Sequence, residues 1–207
     1  MKKIVFDIGA HLGEDSQYYL TRGYKVVAFE CSPPNIKILK KIFSSHIKSK
    51  DLILETRALI SGGGNEKKLD FFISDVSVWG TINADWAERN SKIGANSKLI
   101  LVDTLDPHDI YKLYGFPYFM KIDIEGSDMD VLNSIKIIPP ESRPKYVSIE
   151  SSKTSWNKLM NEFDTLISLG YTKFKAIPQS CNENKVSQWY CSNGEVIKFR
   201  HQKDSSG

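Results

Sequence analysis

The stretch Val5-Phe6-Asp7-Ile8-Gly9-Ala10-His11-Leu12-Gly13 constrains the fold more than any other part of the chain. Lys3 to Ile8 reads as a short buried strand, rich in β-branched and apolar residues. Gly9 and Gly13 interrupt the apolar run, and a helical pattern follows in which Tyr18, Tyr19 and Leu20 are expected to face inward. A strand, a glycine turn and a helix make the first half of a βαβ unit. In open α/β sheets ligands bind beyond the carboxyl ends of the strands, which is where this turn falls.

The chemistry of the turn narrows the ligand. A dinucleotide turn brings the backbone close to a pyrophosphate and reads G-x-G-x-x-G. Here the spacing is Asp7-x-Gly9-x-x-x-Gly13. A carboxylate at the strand tip repels a diphosphate and suits a ligand carrying an ammonium and a sulfonium, of which S-adenosylmethionine is an example. The competing explanation is an ordinary strand-to-helix turn whose glycines serve tight packing. A second strand, Tyr24 to Glu30, ends in an acidic residue roughly 20 positions beyond the turn, where a carboxylate accepts ribose hydroxyls.

The chain has 207 residues, enough for one domain with a full core, and a single domain over residues 1–200 with a polar tail at 201–207 is expected. The net charge of +3 is too small to argue for nucleic acid or an anionic membrane. No apolar stretch approaches the ~18 residues of a membrane span. Asp7 ends the first apolar run too early for a secretory signal, and Cys31, Cys181 and Cys191 lack zinc spacing. A cytoplasmic protein with reduced thiols is expected.

Further along, Ser32 is expected to cap a helix that starts at Pro33, runs to about Ser45 and puts Ile36, Leu39 and Phe43 on one face. A third strand is expected over 51–60. Ser61-Gly62-Gly63-Gly64-Asn65 lacks a following Gly-Lys-Ser/Thr and reads as a hairpin turn into a short strand at 69–73. Residues 75–97 have weak periodicity. A binding loop with Trp79 and Thr81 as substrate contacts and a surface loop anchored by tryptophans fit that stretch equally. Strands are expected at 99–102, 118–124 and 145–150, with a helix at 107–114. Ser127 is the expected cap of a helix carrying Met129, Leu132 and Ile135. Trp156, Leu159, Met160, Phe163, Leu166 and Ile167 lie at helical spacing and are expected to pack as core, with Gly170 as the stop. Closing strands are expected at 171–177, 187–191 and 196–199. Alternating strands and helices of this kind indicate an α/β fold.

Several separated pieces resemble the FkbM-type methyltransferases. They are Asp7-x-Gly9-Ala10-x-x-Gly13-Glu14, Phe29-Glu30 with Pro33 and Asn35, Thr104-Leu105-Asp106, Lys121-Ile122-Asp123-Ile124-Glu125-Gly126 with Val131-Leu132, and Tyr146-Val147-Ser148-Ile149-Glu150. The resemblance spans most of residues 4 to 170, and His11 and Cys31 depart from it where Asn and Pro are common. It implies a class I methyltransferase Rossmann-like fold, mostly a parallel sheet of the seven-stranded type with helices on both faces. It also implies methyl transfer from S-adenosylmethionine to a hydroxyl oxygen of a small molecule such as a sugar or natural product.

On that reading Asp7, Gly9, Ala10, His11 and Gly13 serve the methionine end of the cofactor and Glu30 its ribose. The backbone at Ala58 and Leu59 flanks the adenine, and Asp123 stands beside the methyl group. Asp123, Glu125 and Glu150 form the candidate catalytic set, as base or as acceptors for the substrate hydroxyl. Asp123 and Glu150 are also the candidate ligands of a divalent cation, and Glu125 has a competing role at a helix N-terminus. His46, His108 and His201 suggest no partner and read as surface residues. Two rivals stand beside this reading: an NAD-dependent oxidoreductase, and a non-catalytic protein that binds the cofactor. No nucleic-acid or membrane partner is expected. The acceptor, the need for metal and the oligomeric state are not encoded in any motif.

Overall fold

The computed structural model describes residues 2–64, 67–74, 97–124, 126–151, 155–177, 186–190 and 196–200. The elements run β1 (Ile4–Ile8), α1 (Glu14–Thr21), β2 (Lys25–Phe29), α2 (Pro33–Ile42), α3 (Ser44–Lys48), β3 (Leu52–Glu55), β4 (Ala58–Leu59), β5 (Lys68–Ser74) and β6 (Ser97–Leu105). They continue α4 (Ile110–Tyr114), β7 (Phe119–Ile122), α5 (Asp128–Ser134), β8 (Tyr146–Ile149), α6 (Trp156–Ser168), β9 (Val186–Tyr190) and β10 (Val196–Arg200).

Five parallel strands form the central sheet in the order β3-β2-β1-β7-β8. Side chains alternate across its two faces, as the pleat requires. Phe6, Ile8, Val27 and Phe29 join Ile110, Tyr111, Val131, Leu132 and Ile135 of α4, α5 and the turn that follows in one core. Val5, Val26 and Ala28 join Tyr19, Leu20, Leu39, Ile42 and Phe43 of the α1–α3 segment in another. Helices therefore cover both faces, and the fold is α/β, as the strand pattern predicts, in the Rossmann-like arrangement that the family resemblance implies. Among the described residues the main sheet has five strands rather than seven. β9 and β10 pair only with each other, and residues 171–177 form no strand.

The expected third strand is two strands in two sheets. β3 ends at Glu55, and β4 pairs instead with β6, which also pairs antiparallel with β5. The glycine turn at 61–64 is thus no hairpin turn, because β6 lies between the strands it connects. A hydrogen-bonded corner lies between the two strands. Glu55, only 5% exposed, accepts from Arg57 Nε at 2.8 Å and Nη2 at 2.6 Å, and from the hydroxyl of Tyr114. Burial works against the Glu55 charge, but these hydrogen bonds hold its carboxyl below the ordinary value. Tyr114→Phe leaves the Arg57 pair in place and is expected to cost about 1.5–3 kcal/mol, the net value of one hydrogen bond to a charged group. Urea unfolding checks it, with an unchanged m-value.

Other local expectations differ in the structure. Tyr18 is half exposed under Arg22, whereas Tyr19 and Leu20 are buried. Neither Ser32 nor Ser127 makes a side-chain cap. Asp128, the first residue of α5, instead braces the loop before the helix, accepting from the amides of Ile124 at 3.1 Å and Gly126 at 3.4 Å. On α6 the buried face carries Glu162 and Thr165, with Leu166 partly buried, while Trp156, Met160 and Ile167 are exposed. The apolar stripe is therefore only partly core.

Candidate active site

The strand order reverses between β1 and β7, since β2 and β3 lie on one side of β1 while β7 and β8 lie on the other. Ligands of open α/β sheets bind at such a switch point, beyond the strand tips. Asp7, Gly9, Ala10, His11 and Gly13 stand at the tip of β1, Glu30 at that of β2, Asp123 at that of β7 and Glu150 at that of β8. The sheet thus gathers the described candidates at one end. Trp79, Thr81 and Glu125 lie outside the described residues. Ala58 and Leu59 are both buried, and β4 pairs with Thr104 and Leu105 of β6.

The turn is built almost entirely on internal bonds. The amides of Gly9 and Ala10 both donate to the Phe29 carbonyl, at 3.1 and 2.9 Å, and Gly13 N donates to Ala10 O at 2.7 Å. His11 and Gly13 take left-handed φ angles of 49° and 86°. Gly9 has φ 83°, and a Cβ there would overlap the backbone carbonyl of Asp123. A Cβ at Gly13 would run into Phe43 and lie 2.9 Å from Leu39. Close packing alone therefore accounts for both glycines. These three amide donors are thereby committed within the protein.

Asp7 is fully buried. Its Oδ2 accepts from the Ser16 hydroxyl at 2.6 Å, and its Oδ1, equally buried, has no hydrogen-bond partner. Burial pushes its carboxyl up to about 6, against the pull of Lys121 at 3.8 Å. Asp7 thus links β1 to Ser16 of α1 and faces Lys121 of β7. Glu30 accepts from Ser32 N at 2.8 Å and bonds Asn35 and the backbone of His11, and burial raises its carboxyl. It joins the β1 turn to the start of α2. His11 Nδ1 lies 3.8 Å from Glu14.

Lys121 went unassigned in the sequence, yet it sits at the centre. Its Nζ lies 3.2 Å from Asp123 Oδ2, 3.5 Å from Asp15 Oδ2 and 3.2 Å from the Gly9 carbonyl. Burial would lower its pKa, but Asp7, Asp123 and Asp15 outweigh burial and hold it above the ordinary lysine value. A lysine inside a buried parallel strand must find counter-charges, and that was the available signal. Three carboxylates around one ammonium leave this group of four side chains net negative, which favours a cationic ligand over a phosphate beside it. No group of three or more His, Cys, Asp or Glu among the described residues has the geometry to hold a metal ion.

A family profile described as Methyltransferase FkbM domain matches residues 7–174. The chain belongs to the FkbM methyltransferase family. No curated protein matches it. Thr104-Leu105-Asp106 of this methyltransferase holds the 61–64 turn in place. Asp106 accepts from Gly62 N at 2.7 Å and from His108 Nδ1 at 2.7 Å, so His108 does have a partner. Thr104 accepts from Gly64 N at 3.2 Å, and Asp130 accepts from Ser61 N at 3.3 Å. These contacts commit the amides of the 61–64 turn as well, so it forms no phosphate cradle. No helix of the described residues is long and apolar enough to cross a membrane.

Proposed function

We propose that this methyltransferase uses S-adenosylmethionine to methylate a hydroxyl oxygen of a small molecule, a sugar or natural product being the class in view. The observation that carries the reading is the β1 turn at the switch point: the amides of Gly9, Ala10 and Gly13 are committed internally, and beside it three carboxylates face the single ammonium of Lys121. The residues fit a ligand with an ammonium and a sulfonium. Glu30 would hold the ribose, and the turn from Gly9 to Gly13, with Asp7 of β1, would hold the amino-acid end. When bound, the cofactor supplies the methyl group together with its own leaving group. The protein's contribution is alignment, exclusion of water and acceptance of a proton. Asp123, about one-third exposed at the central strand tip, is the group we assign to that proton. Glu150, at the neighbouring tip, would orient the acceptor.

Calorimetric titration with S-adenosylhomocysteine and with NADH tests the reading. Binding of the first and not the second is expected, and NADH binding alone would defeat it. Transfer of labelled methyl to a pool of hydroxylated metabolites, as an alkali-stable ether, separates an enzyme from a protein that only binds cofactor. Glu30→Ala is expected to weaken S-adenosylhomocysteine binding by tenfold or more, the loss typical of a hydrogen bond to a charged group. Unchanged affinity would remove Glu30 from the ribose site.

A further inference from the structure

Lys121 spans two strand tips. Its side chain is only 17% exposed and meets four acceptors: the Gly9 carbonyl, Asp123 Oδ2, Asp15 Oδ2 and Asp7 Oδ1. An ammonium has three protons. The two contacts at 3.2 Å, to Gly9 and Asp123, take two of them. The third faces Asp15 at 3.5 Å and Asp7 at 3.8 Å, and Asp7 Oδ1 is left without a hydrogen bond. Geometry therefore ranks the partners: Lys121 serves Asp123 and Gly9 first, and Asp7 last.

We infer that Lys121 is a positioning residue of the candidate site, its ammonium tying the Asp123 carboxylate at the tip of β7 to the Gly9 carbonyl at the tip of β1. The backbones at these tips are already in contact, because Gly9 packs on the Asp123 carbonyl. That contact leaves the Asp123 side chain free to rotate. Lys121 removes the freedom and sets one arrangement before a ligand arrives, so that less ordering is needed on binding. The inference rests on the adenosyl ligand proposed above and adds a residue that acts through Asp123 and Gly9.

The test must separate this role from simple neutralisation of Asp7. Asp7→Asn removes the carboxylate that would be stranded, so Lys121→Met is made in that background. S-adenosylhomocysteine is titrated into the wild type, D7N, D7N/K121M and D7N/K121Q, and each is melted without ligand. D7N/K121M is expected to bind on the order of tenfold more weakly than D7N, as expected for losing hydrogen bonds from a charged donor. D7N/K121Q, which keeps two N–H donors at the site, is expected to fall between them, and it serves alone should the methionine variant not fold. Affinity equal to that of D7N in the variants that fold would show that Lys121 only balances charge, and would overturn the inference. A wild type that binds no S-adenosylhomocysteine would overturn the functional reading first and this inference with it.

Discussion

Gly9→Ala is expected to lower the melting temperature by about 8–16 °C, the equivalent of about 4 kcal/mol in a chain of this length. Two effects add. A residue with a Cβ at φ 83° sits in the left-handed region, which costs roughly 1–2 kcal/mol. The new carbon also overlaps the Asp123 carbonyl, a backbone atom that cannot rotate aside, and forced overpacking costs about 1–3 kcal/mol. Gly23→Ala is the control. Gly23 has a nearly equal φ of 80°, but a Cβ there meets nothing within 4 Å. It is expected to lose only the conformational part, about 2–8 °C. Equal losses in the two variants, measured by circular dichroism, would mean that the β1 and β7 tips are not packed as described.

That packing marks the limit of what a sequence of this kind discloses. The central strands were legible because parallel strands buried on both faces must be apolar runs, as Val26-Val27-Ala28-Phe29 is. The positions of the glycines were legible too, but not their reasons, since a sequence cannot say whether a missing Cβ makes room for a ligand or for a carbonyl 114 positions along the chain. The break between β3 and β4 was hidden for a similar reason. Leu52 to Ile60 reads as two apolar triplets around Glu55-Thr56-Arg57, which a sequence can join into one strand, whereas in the structure the pairing changes sheet there and Glu55 is held by Arg57 and by the Tyr114 hydroxyl. The stripe on α6 misled in the other direction: Trp156, Met160 and Ile167 satisfy the helical period yet lie outward, because periodicity defines a face and not what covers it. At the site, the carboxylates were found because acids at strand tips stand out. Lys121 was missed because its significance depends on Asp7, Asp15 and Asp123 converging on it in space.

The same convergence makes the stability of the fold depend on pH through Asp7. Its carboxyl goes from 3.8 to about 6 on burial. Between those values the folded chain binds a proton that the unfolded chain has released, so stability falls as pH rises. The contribution is fully present below about pH 4, declines through about 6 and is absent above it, and it amounts to about 3 kcal/mol. Asp7→Asn cannot titrate, keeps the shape, and still offers its amide oxygen to the Ser16 hydroxyl. Lys121 remains paired with Asp123 and Asp15. The melting temperature of the variant minus that of the wild type is therefore expected to rise by about 6–12 °C between pH 4 and pH 7. Taking the difference at each pH largely cancels the carboxylates the two proteins share, to the extent that distant sites act independently. A difference that stays level with pH would mean that Lys121 fully compensates the buried charge. One that falls toward pH 7 would mean that the ion pair outweighs burial, and Asp7 would then be a stabilising anchor of the turn at neutral pH instead of a cost borne by the site.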